Sequence, residues 1–200
     1  MRELLVATHN SHKTAEFRAI LAKHFDEISD LTALSDAKEP VEDGSTFSEN
    51  SAIKALAASD LLPSAFVIAD DSGLEVDALD GAPGIHSARY SGESATDASN
   101  RDRLITELAR PEHKGKARSA RFRCVITAAK GGQVLAVFDG VVEGRIAESM
   151  SGEGGFGYDP LFIPEGYENS FGVLAEEVKN GMSHRGRALK KFCDWLEDQP

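Results

Sequence analysis

The chain has 200 residues, 41% of them hydrophobic, and a chain of this length can bury roughly 70% of its unfolded surface in one core. Its 22 basic and 33 acidic residues give a formal net charge of -11, which would repel a polynucleotide but leaves room for a small anion. We therefore expect a single domain over residues 1–200 and no polynucleotide partner.

The first half of the sequence predicts strands and helices in turn. Residues 3–8 have the pattern of a short buried strand, and a helix follows with five residues at helical spacing: Phe17, Ile20, Leu21, His24 and Phe25. A second helix is expected from Thr46, whose hydroxyl forms a capping box with Glu49. This helix leads into a compact strand at 66–69, and its apolar face would be Ile53, Leu56 and Ala57.

The second half predicts a hairpin between helices. After an extended piece and an ordered loop over 74–92, a third helix is expected from a cap at Thr96, with Leu104, Ile105 and Leu108 inward. Alternation over 120–128 predicts a strand with unlike faces, which Gly131-Gly132 turns into a hairpin with 133–138. A strand at 141–147 follows. The last helix is expected from about Ser183, with an apolar face of Leu189, Phe192, Cys193 and Leu196. This order favours the α/β class, with a mixed sheet flanked by helices.

Cysteines and hydropathy indicate a cytoplasmic protein. Cys124 and Cys193 lie in apolar patterns without a second Cys or His at ligand spacing, which argues against disulfides and zinc. The apolar run near the N-terminus is too short for a signal peptide. No later segment approaches the roughly 18 apolar residues of a membrane span, so we expect no membrane partner.

An acidic pair follows the strand expected at 66–69. Asp70 and Asp71 come where the buried run ends, before Ser72 and Gly73, and open sheets bind ligands at their strand ends. Adjacent carboxylates there could hold a hard cation such as magnesium, and one could deprotonate a water molecule. The alternative is a solvated turn.

The segment after the first strand is a candidate phosphate site. A hydroxyl, an ammonium and backbone N–H groups converge there just before a helix, in Thr8, His9, Asn10, Ser11, His12 and Lys13. The segment lacks the glycines of a P-loop. An ordinary helix start is the alternative.

A glycine-rich segment at 152–157 formally matches GxGxxG. A dinucleotide-binding fingerprint must open a helix, whereas Tyr158-Asp159-Pro160 follows here, and proline continues an extended or turning chain. Glycines around Phe156 and Tyr158 instead favour close approach of the backbone to a flat ligand, with an aromatic ring available to stack. The alternative is a flexible loop.

Four cationic side chains lie at and just inside the expected start of the last helix: Lys179, His184, Arg185 and Arg187. Cations are disfavoured at a helix N-terminus. A site for an anion or a keto oxygen would explain them, because His and Arg donate hydrogen bonds to both. A solvated basic face is the alternative.

Six blocks in the same order make the chain similar to a known family. They are residues 8–13, 46–50, 69–73, 81–84 with 87–92, 154–160 and 183–186. In these blocks the sequence resembles the Ham1-like inosine and xanthosine triphosphate pyrophosphatases, from the first strand to the last helix. The resemblance implies two lobes on a long mixed sheet with a central cleft, magnesium (Mg2+) as cofactor and a homodimer.

The resemblance also implies an activity and its residues. The enzyme would hydrolyse ITP, dITP and XTP to the monophosphate and pyrophosphate, and so cleanse the nucleotide pool. Asp71 would be the general base and metal ligand, with Asp70 and Lys13 beside it in catalysis. The substrate would be bound by residues 8–13, Ser72, Phe156, Gly157, Tyr158, Asp159, Lys179, His184 and Arg185.

Two positions depart from the family's usual pattern. His9 stands where the family has glycine, which makes a left-handed backbone harder to adopt. Val41 stands three residues before Gly44, where the family tends to have a metal-binding glutamate. Either Glu42 replaces it, or the metal relies on Asp71 and the phosphates.

Hydrogen bonding predicts which purine bases the site would select, and other functions stay open beside this one. Inosine and xanthosine offer a 6-keto acceptor to donors such as Arg185, whereas the amino group of adenine would leave those donors unpaired. The rival enzymes are a Maf-like pyrophosphatase acting on modified pyrimidine or standard nucleotides, and a phosphatase with an aspartyl-phosphate intermediate. A nucleotide-sensing module without catalysis is the rival from another class.

Overall fold

A computed structural model describes residues 3–34, 37 and 40–198 of the chain. The strands in this part are β1 (Glu3–Val6), β2 (Glu27–Asp30), β3 (Phe66–Val76), β4 (Ser119–Lys130), β5 (Gln133–Ile146) and β6 (Phe162–Pro164). The α-helices are α1 (Ser11–Leu21), α2 (Phe47–Leu61), α3 (Asp97–Leu108), α4 (Glu176–Met182) and α5 (His184–Glu197). Short 3-10 turns lie at Leu31–Ala33, Asp77–Leu79 and Gly84–Arg89.

The six strands form one mixed sheet in the order β2-β1-β3-β4-β5-β6. β1 pairs in parallel with both β2 and β3, with Leu5 opposite Ser29 and Val67. β6 is antiparallel to β5. The predicted α/β class with a mixed sheet and helices is therefore confirmed.

The chain divides into two compact units. The first contains the described residues of 1–71, 124–140 and 185–200, and the second contains residues 72–123 and 141–184. The strands β3, β4 and β5 each contribute residues to both. A single domain over 1–200 stays a prediction, and residues 1, 2, 35, 36, 38, 39, 199 and 200 lie outside the described residues.

In the first unit, helices cover both faces of the strands. Leu4 and Val6 of β1 pack with α1 and α5 in one apolar cluster, whereas Leu5 and Ala7 belong to a second cluster with α2. This alternation follows from the strand period of two. Because both faces are covered, β4 is buried continuously over 124–129, and the unlike faces predicted for it are found only in its first half.

The core of the second unit lies under α3. Leu104 and Leu108 of this helix pack on residues of β3, β4 and β5, namely Leu74, Val76, Ala120, Phe122, Val142 and Ile146. The rings of Phe122 and Phe162 lie 4.6 Å apart in the same cluster. This core fixes α3 against the second unit's part of the sheet.

The helix starts confirm Thr46 and Thr96 as caps, but the Glu49 carboxylate of the predicted capping box accepts the N–H of Ser45, at 2.7 Å, and the buried face of α2 also differs. Thr46 accepts the N–H of Glu49 at 3.1 Å, and Thr96 forms a capping box with Ser99. The residues that α2 buries are Phe47, Asn50, Ser51, Lys54, Ala55, Ala58 and Ser59, while the predicted Ile53, Leu56 and Ala57 are half-buried. Small side chains on this face let α2 approach the strands closely.

The acidic pair lies inside a strand and not at its end. The strand predicted at 66–69 continues through Asp70 and Asp71 to Val76, so the predicted strand end was wrong. Consecutive carboxylates can be buried in a strand only when cations pair with them. Here those cations come from distant parts of the chain.

Other element boundaries also differ from the prediction. The hairpin arm at 133–138 and the strand at 141–147 are one strand, β5. Helix α1 ends at Leu21, before His24 and Phe25. β2 and α4 were not predicted, and Lys179 lies in α4 rather than at the start of the last helix. Within the described ranges, no helix is long and apolar enough to cross a bilayer.

Candidate active site

Asp70 and Asp71 are consecutive in β3, so their side chains leave opposite faces of the strand. Only 3% and 6% of their surfaces are exposed. A buried carboxylate needs charged or hydrogen-bonding partners. The two residues obtain them from different groups of side chains in the first unit.

Asp70 lies between two cations. The Lys13 ammonium donates to Oδ1 at 3.0 Å, and Arg185 donates from Nη2 and Nε to Oδ2 at 2.9 and 3.2 Å. Arg185, only 1% exposed, also donates to Glu16. Burial alone would raise the pKa of Asp70, but the charges of Lys13, Arg185 and Lys54 outweigh it and hold that pKa well below its usual range. The structure thus brings together the predicted Lys13, Asp70 and Arg185, with the Asp70 carboxylate held in its ionised form by the two cations.

Asp71 has a different set of partners. Lys54 donates to its Oδ1 at 3.1 Å and Asn50 donates to its Oδ2 at 3.2 Å. The carboxylate of Glu42 lies 3.4 Å from the same ammonium. Burial raises the pKa of the Asp71 carboxyl and outweighs the opposing charge of Lys54. This carboxylate is therefore a better proton acceptor than an exposed aspartate.

Sequence reasoning missed Asn50 and Lys54. They lie four residues apart on α2, so both reach the same side of the helix. The Asn50 Oδ1 accepts the N–H of Gly44 at 2.9 Å, which leaves its amide nitrogen for Asp71. A Cβ at Gly44 would lie 2.6 Å from that Oδ1. The sequence signal that could have indicated these two residues is a pair of polar residues at helical spacing among the small residues of α2.

Two carboxylates in this region fit a magnesium ion. Across the described residues, no three His, Cys, Asp or Glu side chains form a metal-binding group. Asp71 and Glu42 nevertheless reach one common point, the ammonium of Lys54. Protein sites for magnesium commonly use one or two carboxylates and complete the shell with water and substrate phosphates. Val41, at the family's usual glutamate position, is 81% exposed.

The charges around the acidic pair do not favour a polyphosphate by themselves. The three cations and four carboxylates are Lys13, Lys54 and Arg185 against Glu16, Glu42, Asp70 and Asp71. A triphosphate carries several negative charges and would be repelled by a net negative cluster. An additional cation would reduce this repulsion.

The segment at 8–13 caps α1. Asn10 accepts the N–H groups of His12 and Lys13 at 3.0 and 3.2 Å, and the Thr8 hydroxyl accepts the N–H of Asn10 at 3.1 Å. His9 and the residues 10–12 are exposed. His9 does not adopt the left-handed backbone that a glycine there would favour. The cap thus already engages two of the N–H groups predicted to meet phosphate.

In the second unit, Asp159 organises the glycine-rich segment. Its Oδ2 accepts the N–H of Phe156 and the Lys179 ammonium, both at 2.9 Å. The same ammonium lies 4.9 Å from the centre of the Phe156 ring. Gly155 has a φ of +73°, and a Cβ there would lie 2.1 Å from the Asp159 Oδ2. Four predicted residues, Phe156, Gly157, Asp159 and Lys179, are thus brought close together.

The remaining predicted residues have varied surroundings. Tyr158 is buried, and its hydroxyl donates to the carbonyl of Ser87 at 2.9 Å. The buried His184 ring stacks on Phe122, with 4.9 Å between ring centres. Ser72 follows Asp71 in β3 and is partly exposed. Of the two rings predicted to meet a flat ligand, Phe156 is the more accessible.

The chain is similar to known proteins over nearly its whole length. The sequence profile of the Ham1 family matches residues 4–195. A dITP/XTP pyrophosphatase of Geobacillus kaustophilus (strain HTA426) is 46% identical over 99% of this chain and 96% of its own length. The protein of the same name in Bacillus subtilis (strain 168) is 42% identical over 98% of each chain.

Solved structures show the same similarity. A HAM1 protein from Coxiella burnetii is 36% identical and superposes with a TM-score of 0.89 over 100% of both chains. The Staphylococcus aureus Ham1 protein is 38% identical, with a TM-score of 0.85 over 98% of both chains.

Proposed function

The chain belongs to the Ham1 family, and on that premise we propose that it hydrolyses triphosphates of deaminated purines, dITP and XTP among them, to the monophosphate and pyrophosphate. The observation that carries this proposal is the buried carboxylate of Asp71, which the Lys54 ammonium holds at 3.1 Å. Burial raises the pKa of this carboxyl even though the charge of Lys54 opposes the rise. A Maf-like activity is not favoured, because relatives that match nearly the whole chain are named dITP/XTP pyrophosphatases.

Asp71 is assigned the role of general base. A water molecule attacks the α-phosphorus, its proton passes to Asp71, and the bond from the α-phosphorus to the bridging oxygen of pyrophosphate breaks. Lys54 and Asn50 hold the two carboxylate oxygens in place. Lys13, in the first turn of α1, stabilises the negative charge that develops on pyrophosphate.

Asp71 and Glu42 are the residues that would hold a magnesium ion. When bound, the ion would supply the positive charge that neutralises phosphate oxygens. The excess of carboxylates over cations around the acidic pair supports this requirement. Asp70, ionised and paired with Lys13 and Arg185, fixes the positions of these two cations.

Two groups of residues are assigned to the substrate. The residues Thr8, His9, Asn10, Ser11, His12, Lys13 and Ser72 would contact the triphosphate. The nucleoside would be received by Phe156, Gly157, Tyr158, Asp159, Lys179 and His184, with the accessible Phe156 ring stacked on the base. Arg185 is engaged by two carboxylates, so its contact with the 6-keto oxygen stays a prediction.

A homodimer in the cytoplasm completes the proposal. Leu135 and Val137, on the same face of β5, are 42 and 48% exposed, and neighbouring exposed apolar side chains often mark a surface that packs on another protein. The two cysteines, Cys124 and Cys193, are free and buried, as is usual in a reducing compartment. Analytical ultracentrifugation should give twice the chain mass, and a charged residue at Leu135 should yield monomer.

Hydrolysis of ITP with magnesium tests the proposed reaction. We expect one pyrophosphate per ITP consumed, much slower turnover of ATP, and loss of activity with a chelator. Release of orthophosphate instead would indicate the aspartyl-phosphate rival, and preference for pyrimidine triphosphates would indicate the Maf-like one. Binding of ITP without any product would indicate a sensing module.

A further inference from the structure

Two side chains of α3 hold one residue of the glycine-rich segment. Asp97 and Arg101 lie four residues apart, one turn of the helix, on the same side. The Asp97 Oδ2 accepts the N–H of Gly157 at 2.7 Å, and the Arg101 Nη1 donates to the carbonyl of Gly157 at 2.7 Å. Both backbone polar groups of Gly157 are therefore fixed by charged groups of one helix.

The glycine-rich segment needs support from outside. Gly152, Gly155 and Gly157 have φ angles of +82°, +73° and +60°, and glycine loses more conformational entropy on ordering than any other residue. Inside the segment, the bond from the Phe156 N–H to Asp159 fixes one point. The contacts from α3 fix the next residue, between Phe156 and the buried Tyr158.

Helix α3 is itself firmly anchored in the second unit. The Asn100 side chain accepts the N–H of Ser91 at 2.8 Å and donates to the carbonyl of Ala88 at 3.0 Å. Leu104 and Leu108 are buried in the core. The first turn of α3 therefore offers a fixed frame for the carboxylate and guanidinium that hold Gly157.

The held segment borders a space of ligand size. A cavity of about 370 Å³ is lined by Asp97, Arg101 and Phe156, among other residues, and small-molecule sites commonly enclose about 300 to 1,000 Å³. Displacement of the segment would change this cavity directly. The bonds from Asp97 and Arg101 to Gly157 therefore hold the residue that follows Phe156 in the wall of this cavity.

We propose that Asp97 and Arg101 are positioning residues that hold Phe156–Asp159 in the shape that receives the nucleoside. This inference rests on the proposed function of that segment. We assign the two side chains to the nucleoside end of the substrate and not to the chemical step, because their bonds are to Gly157, whereas the proposed base, Asp71, is held by Lys54 and Asn50. Loss of either side chain should therefore weaken binding and leave turnover nearly unchanged.

Kinetics of Asp97→Ala and Arg101→Ala test the inference. We expect KM for ITP to rise about tenfold, the usual effect of losing one charged hydrogen bond, with kcat changed less than about twofold. Inhibition by IMP should weaken by the same factor, whereas inhibition by inorganic pyrophosphate should not change. Asp97→Asn retains an acceptor for the Gly157 N–H and should recover most of the loss. The double variant should resemble the single ones, since both side chains hold the same residue, Gly157.

Asp102→Ala is the matched control, because this exposed carboxylate lies on the same helix and has no contact with Gly157. Its KM should equal that of the wild type. An unchanged KM in folded Asp97→Ala and Arg101→Ala would overturn the inference, as would a loss confined to kcat or an equal effect of Asp102→Ala. If the alanine variants do not fold, Arg101→Met decides, because it keeps the apolar stem of the side chain but has no donor for the Gly157 carbonyl; a wild-type KM in that variant would overturn the inference. Failure of the wild type to release pyrophosphate from ITP would overturn the proposed function instead.

Discussion

Replacing Asp70 by asparagine should strongly destabilise the protein. Asp70 accepts hydrogen bonds from the cations Lys13 and Arg185 at 2.9 to 3.2 Å, and asparagine would retain one acceptor oxygen and no charge. Breaking a buried ion pair from one side costs about 3–5 kcal/mol. Glu16 still neutralises Arg185 in the variant, so we expect the lower end, about 3 kcal/mol. In a chain of this size that corresponds to a Tm lower by about 6–12 °C.

The destabilisation by Asp70→Asn should depend on pH, and the lowered pKa of Asp70 sets the direction of that dependence. The pKa of Asp70 is lower in the folded protein than in the unfolded chain. Its stabilising contribution is therefore complete above the unfolded pKa of about 4 and is lost as the pH falls towards the folded value. The difference in unfolding free energy between wild type and Asp70→Asn should stay constant from pH 8 to 5 and shrink below about pH 4.

Urea unfolding at several pH values measures this difference. Asp60→Asn serves as a control, because it removes an exposed carboxylate from α2 and should change the free energy of unfolding by less than about 0.5 kcal/mol. A difference for Asp70→Asn below about 1 kcal/mol at pH 7 would refute the reasoning. So would a large difference that is the same at pH 7 and pH 3.

Three further predictions concern catalysis, the glycine-rich segment and the thiols. Asp71→Asn should lower kcat by about three orders of magnitude while circular dichroism shows a folded protein; near-normal turnover would remove Asp71 from the mechanism. Gly155→Ala should raise KM for ITP, because the added Cβ would meet Asp159 and the φ of +73° is strained; an unchanged KM would argue against this loop in binding. Iodoacetamide should label Cys124 and Cys193 only after unfolding, since both are buried and burial raises both pKa values. Rapid labelling of the native protein would contradict that burial.

Local sequence patterns predicted the helix starts well. Thr46 and Thr96 cap α2 and α3 as expected, because a cap depends on residues only three positions away. The extent of β3 was not predictable in this way. Local chemistry favours a turn at two aspartates before serine and glycine, and only the contacts with Lys13, Lys54 and Arg185 make a strand possible there.

The residues that sequence reasoning missed share one property. Asn50, Lys54, Asp97 and Arg101 each act through a partner far away in the sequence. Their helices were predicted, but the direction in which a polar side chain on a helix faces depends on packing. A spacing of four residues, as between Asp97 and Arg101, is typical of an ordinary ion pair on a helix surface. Only their contacts with Gly157 in the structure indicate a positioning role.

The residue types alone did not choose between the two aspartates as the proton acceptor, and only the family resemblance indicated Asp71. Adjacent positions in a strand point to opposite faces, so one face gives Asp70 two cations at hydrogen-bond distance while the other gives Asp71 a single ammonium that it shares with Glu42. The pKa of Asp70 falls and that of Asp71 rises. A carboxylate held ionised by two cations is a poor base, whereas its neighbour can accept a proton from water. When the environments of two like groups move their pKa values apart, the two groups can take different roles. We therefore assign the role of general base to Asp71, and to Asp70 the role of holding Lys13 and Arg185 in place.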